Sequence, residues 1–120
     1  MRIRTADPLI GCELIRVSLE ATHVHLDFLN TQVQIGSDFN LSRDGGCVET
    51  ICPTKRSGDI ALLWEAIGTH VTSLTWPDGS QESLSIVFDN GAVVEILPTV
   101  DMPRGTILGT DGTSNFVDDF

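Results

Sequence analysis

Three side chains suited to coordination or acid–base chemistry stand at alternate positions in THVHLDF, residues 22–28: His23, His25 and Asp27. On a β-strand successive side chains point to opposite faces, so two imidazoles and a carboxylate share one face. Imidazole and carboxylate both bind first-row metals, yet a closed site needs a further ligand. Neither Cys12 nor His70 nor any other aspartate stands at a spacing that fixes it nearby. The trio therefore reads as the solvated face of an ordinary strand, with no metal and no cofactor expected.

The thiols point the same way. Cys12, Cys47 and Cys52 are odd in number, and CVETIC leaves four residues between its two cysteines with no second pair to complete a metal site. Reduced thiols are expected. The chain has no GxSxG, GxxxxGK[ST] or HExxH motif, and no tyrosine. Nothing in the sequence brings a cysteine to a histidine as a nucleophile pair. DGTSN at 111–115 lacks the alternating acidic ligands and closing glutamate of a calcium loop and reads as a turn. A non-catalytic role is the expectation.

The elements that carry these residues emerge when the segment after Gly11 is laid beside that after Gly68. GCELIRVSLEATHVHLDFLNTQVQI and GTHVTSLTWPDGSQESLSIVFDNGAVVEI share one pattern. Apolar residues follow each glycine at matching spacing: Leu14, Val17 and Leu19 in the first, Val71, Leu74 and Trp76 in the second. An alternating strand then ends in phenylalanine, Val24–Leu26–Phe28 against Leu84–Ile86–Phe88, before an asparagine turn and a last strand with Val33 and Ile35 or Val94 and Ile96. Alternation rich in Val, Ile and Phe marks strands that bury one face. The chain thus writes a three-stranded antiparallel meander twice. The fold expected is mainly β (α+β), two pseudo-symmetric meanders closing a sandwich or flattened barrel. DNG at 89–91 predicts a type I′ hairpin turn, and PDGS at 77–80 a second turn.

At 120 residues and 41% hydrophobic content the chain is a single domain. Copy one covers about 9–36, an irregular connection 37–56, and a helix with copy two 57–97. SGDIALLWEAIG at 57–68 predicts the one helix, about 58–67, with Ser57 as cap, Asp59 at the positive end and Gly68 as stop. Its helical spacing makes Ile60, Leu63, Trp64 and Ile67 the inward face, and Trp76 fits the strand core. ADPLIG holds a single helical turn before copy one. Within the connection, Phe39, Leu41, Val48 and Ile51 suggest that part of it packs down. Residues 106–120 read as a polar, acidic tail anchored only by Phe116, Val117 and Phe120.

Net charge is −10. Residues 1–56 hold six bases and seven acids, net −1, whereas 57–120 hold one base and ten acids, net −9. So negative a surface repels phosphate backbones and anionic lipid and attracts a basic protein. No nucleic-acid or membrane role is expected. A basic protein partner would meet the acidic half, with Asp101, Asp111, Asp118 and Asp119 as charges and Phe116 and Phe120 as anchors. MRIRTADPLIG has no apolar run behind its arginines, and no later stretch is long enough to span a bilayer, so the expected location is cytoplasmic. A small-ligand or metal site in the groove between the halves is the alternative to protein binding.

The double pattern, L-x-G-x-x-V followed by L-x-F-x-[DN]-G-x-x-x-x-I, resembles that of a family of small uncharacterised bacterial domains. Some of these are encoded beside polymorphic toxins and regarded as immunity proteins. The resemblance covers about residues 9–100 and rests on Leu9, Gly11, Leu14 and Phe28, with Leu63, Gly68, Val71, Leu84, Phe88, Asn90, Gly91 and Ile96. These are framework positions, so the resemblance implies a fold first. Thr31 stands where the first copy's turn glycine is expected, and the chain after Pro98 lacks an expected aromatic residue. For function the resemblance implies neutralisation of a basic toxin domain.

Overall fold

The computed structural model describes residues 9–29, 31–75, 84–97, 105–110 and 115–119. In chain order its elements are β1 (Arg16–Leu19), β2 (Val24–Asp27), β3 (Thr31–Ile35), β4 (Phe39–Arg43), β5 (Glu49–Ile51), α1 (Ala61–Ala66), β6 (Val71–Thr75), β7 (Leu84–Phe88), β8 (Ala92–Ile96), β9 (Gly105–Thr110) and β10 (Asn115–Asp119). They build two antiparallel sheets, ordered β1-β2-β3-β9-β10 and β5-β4-β8-β7-β6. The two meanders are present as the duplication requires, one in each sheet. The strand after each meander crosses over: β4 leaves the first to pair with β8, and β9 leaves the second to pair with β3. The repeating unit is therefore a meander plus a hairpin donated to the opposite sheet.

The halves meet at a pseudo-two-fold junction made of backbone. The Gly11 amide donates to the Val71 carbonyl and the Gly68 amide to that of Leu14, both at 2.8 Å; Val71 N–H donates to Cys12 at 3.0 Å and Leu14 N–H to Thr69 at 2.9 Å. Every bond has its counterpart with the copies interchanged. The isolated bridge Glu13↔His70 lies between these bonds and marks the local axis. Gly11 and Gly68 have φ of +89° and +92°, a region that costs other L-residues strain. No atom lies within 4 Å of where a Cβ would stand on either, so conformation alone calls for glycine.

One core joins the sheets. Leu26, Phe28, Leu84, Ile86 and Phe88 are all buried, alongside Val33, Ile35, Phe39, Leu41, Val94 and Ile96. Their alternation along each strand turns the same face inward as the duplication predicted. Full burial of each such side chain contributes about 1.5–3 kcal/mol.

Several elements depart from the sequence reading. The connection 37–56 is no irregular loop but the β4–β5 hairpin followed by a 3-10 turn at Pro53–Lys55; Phe39, Leu41 and Ile51 are buried while Val48 is exposed. Its turn carries the chemistry expected at 89–91: Asp44 and Gly45 have φ of +52° and +74°, and Gly46 N–H donates to Arg43 at 2.8 Å. At 89–91 only Gly91 has positive φ and its amide donates to Phe88, giving a three-residue loop in which Ala92 N–H caps onto Asn90 Oδ1.

The helix is six residues rather than ten. Ser57 is committed to backbone bonds with Cys52 in both directions, and Gly58 at φ +107° breaks any helical path. The N-cap is Ile60, which has no capping side chain, and Asp59 just before it accepts from the Ala61 N–H through Oδ1 at 2.9 Å. Leu63 and Ala66 face the core, whereas Trp64 is 48% and Ile67 38% exposed, which corrects their place on the inward face. A short helix tied at its end to Asn90 and Arg43 turns one narrow stripe inward. Residues 105–110 and 115–119 are paired strands rather than a tail: β9 pairs with β3 from Thr31↔Gly109 to Ile35↔Gly105, and β10 pairs with β9. Trp76, the 77–80 turn and residues 1–8, with the first three of the ADPLIG stub, lie outside the described residues.

Candidate functional site

His23, His25 and Asp27 do share the outer side of the first sheet, but they do not form one site. Asp27 is only 9% exposed, not part of a wet face. Its Oδ2 accepts from Arg16 Nε at 2.7 Å and its Oδ1 from Gln32 Nε2 at 2.6 Å; Gln32 Oε1 in turn accepts from Gln34 Nε2 at 2.7 Å. The register explains this, since Arg16, Asp27 and Gln32 stand opposite one another across β1, β2 and β3. The carboxylate is consumed by a structural network. The imidazoles of His23 and His25 lie 6.4 Å apart between ring centres, and His25 Nδ1 lies 3.9 Å from Glu20 Oε1. Among the described residues no three His, Cys, Asp or Glu side chains are grouped to hold a metal ion.

His23 belongs to a different feature. A groove of about 430 Å³ opens between the end of the first meander, Leu19–Val24, and the segment joining β5 to α1. Its walls carry apolar Leu19, Val24, Ile51 and Ile60, with His23, Cys52 and Arg56 as chemically distinct members. The size falls within the range of small-molecule sites, roughly 300–1,000 Å³.

Two of these groups are held in position. The His23 Nδ1 lies 2.9 Å from the Thr22 hydroxyl, and on its other side the ring rests on Gly36, where a Cβ would come within 2.8 Å of Nε2. Gly36 has ordinary φ, so its missing side chain serves the ring and not the backbone. Arg56 follows the 3-10 turn in the left-handed region, φ 53° and ψ 41°, a conformation costing a non-glycine residue about 1–2 kcal/mol. Its Nε donates to the Ala21 carbonyl at 3.3 Å, bridging the two walls. Strained non-glycine residues concentrate at binding sites, where surrounding structure enforces them.

The groove also contains Cys52, but the thiol contacts the Thr54 hydroxyl at 3.6 Å while His23 Nδ1 is engaged by Thr22. Cys52 and His23 are thus not a hydrogen-bonded nucleophile and base. Cys47 is exposed and lies outside the groove lining.

The residues expected to meet a partner fall into two groups. Asp101, Asp111 and Phe120 lie outside the described residues. Phe116, Asp118 and Asp119 are on β10, an edge strand of the first sheet, in register with Gly109, Ile107 and Thr106. Sequence reasoning passed over Arg56 and the groove it bridges. The available signal was KRSG at 55–58, a basic pair before a glycine in an otherwise acidic chain. No helix among the described residues is long and apolar enough to cross a membrane. Comparison with protein-family models, with curated proteins and with solved structures found no match.

Proposed function

We propose that the protein is a non-catalytic binding module that takes a small molecule in the groove between the first meander and the β5–α1 segment. One observation carries this reading: Arg56 is held in a strained backbone conformation with its guanidinium bridging the groove walls. Strain of this kind is offset by packing and finds its use in presenting a side chain. The apolar walls supply affinity and the Arg56 guanidinium supplies selection. Nuclear magnetic resonance titration with a panel of small amphipathic acids, amines and alcohols tests it. At least one class should shift amides at 19–24 and 51–60; a panel that shifts none, or shifts others only, overturns the reading.

A second reading, recognition of a basic protein such as a toxin domain, is favoured by the net charge of −9 on residues 57–120. Phe116, Asp118 and Asp119 stand on an edge strand, where a partner has access to the backbone as well. Affinity for such a partner should fall steeply with salt. A large toxin gene adjacent to the coding sequence would favour this role over the first.

A further inference from the structure

We infer that the groove selects an aliphatic monocarboxylate, its charged end on Arg56 and its chain along Leu19, Val24, Ile51 and Ile60; this rests on the small-molecule reading above. Of the three described arginines, Arg16 pairs with Asp27, and Arg43 with Glu65 and Asp44. Arg56 has no carboxylate within ion-pair distance among the described residues, and only its Nε is engaged, by the Ala21 carbonyl. That bond fixes the plane of the guanidinium and leaves the terminal nitrogens, whose fork matches the two oxygens of a carboxylate.

The chemistry of the walls decides what lies behind the charged end. Val24 and Ile51, each 3% exposed, bring only the edge of the core to the groove, while Leu19, 59% exposed, offers apolar surface at the mouth that a chain would cover. The charge of the ligand is bounded from above. Glu20 also lines the groove, with its Oε1 3.9 Å from His25 Nδ1, and the whole chain carries −10. One guanidinium without an acidic partner among the described residues accommodates a single negative charge in that field and disfavours a phosphate dianion. His23, its Nδ1 engaged by Thr22 and its Nε2 side seated on Gly36, forms a fixed part of the wall and leaves selection to Arg56.

Hexanoate and its neutral isostere hexanamide form the test, titrated into the intact chain and into Arg56→Gly. Glycine relieves the left-handed strain at this position, so the variant should fold with its midpoint within about 5 °C of the parent. Hexanoate should shift groove amides at least tenfold more tightly than hexanamide, and Arg56→Gly should bring the two together. Equal binding of both to the intact chain, or undiminished hexanoate binding by Arg56→Gly, overturns the carboxylate assignment while the groove remains a ligand site. Failure of both compounds, with amines or alcohols still shifting the groove, likewise removes only the assignment; failure of every class removes the groove reading with it. Inorganic phosphate binding as tightly as hexanoate overturns the monoanion preference.

Discussion

The rings of Phe28 and Phe88 lie parallel, 6° apart in orientation with 6.5 Å between centroids, Phe88 as the last residue of β7 and Phe28 as the residue that follows β2. Equivalent residues of the two copies thus touch at the centre of the core. Phe88→Ala should cost about 3–5 kcal/mol and Phe28→Ala a similar amount. A double-mutant cycle should return a coupling of about 0.5–1.5 kcal/mol in chemical denaturation. Singles costing under about 1 kcal/mol would mean the sheets do not close there.

Gly11→Ala and Gly68→Ala should each destabilise by about 1–2 kcal/mol, through backbone strain alone, because neither site presents an atom for the methyl to meet. D-alanine, introduced by chemical synthesis, should reverse the sign, since it favours positive φ and narrows the unfolded ensemble. Equal destabilisation by both enantiomers would point to a clash rather than to φ.

Asp27→Ala should cost about 1.5–3 kcal/mol, leaving Gln32 without its acceptor. Arg16→Ala should cost about 1 kcal/mol or less, because the arginine side chain is 70% exposed and water replaces much of the pair. Urea denaturation of the two variants reads the difference. An arginine change as costly as the aspartate change would contradict this division.

Gly36→Ala should leave stability nearly intact, since the neighbour it displaces is a side chain that can rotate. It should nonetheless move the His23 ring off its contact with Thr22, visible as a changed His23 ring-proton shift, and weaken groove binding. An unchanged ring shift would separate Gly36 from the site.

Asp118→Asn with Asp119→Asn tests the basic-partner reading in place. Removing residues 110–120 would be a blunter change, because it deletes β10 and bares an edge of β9. With the double substitution, association with a basic partner should slow and its salt dependence should flatten. Identical rates and slopes at low and high salt would leave the charge of this strand to solubility alone.

The meanders were legible because burial on one face imposes alternation, and Val24, Leu26 and Phe28 repeat it as Leu84, Ile86 and Phe88. The hairpin β4–β5 was less so. Phe39 and Leu41 alternate, but Asp44 and Gly45, the turn residues that pair these strands, sit amid a polar run that reads as a loop. The wet appearance of Asp27 misled for another reason: its burial comes from Arg16 and Gln32, which are neighbours only across strands. Arg56 stayed hidden because its place depends on a backbone conformation and on Ala21, thirty-five residues earlier. Pattern reads what repeats along the chain, and these contacts do not.

The crossing of hairpins between sheets also sets an order of events at the ribosome. The outer edge of β3 is complete at Ile35, yet its partner β9 begins only at Gly105, about 70 residues later. At about 5–20 residues per second, synthesis leaves that edge without its native neighbour for roughly 4–14 s. Pairings this distant in sequence slow folding further, and an open strand edge is a template for other chains. Translation speed between codons 36 and 105 is thus a variable in how much of the product reaches the native state.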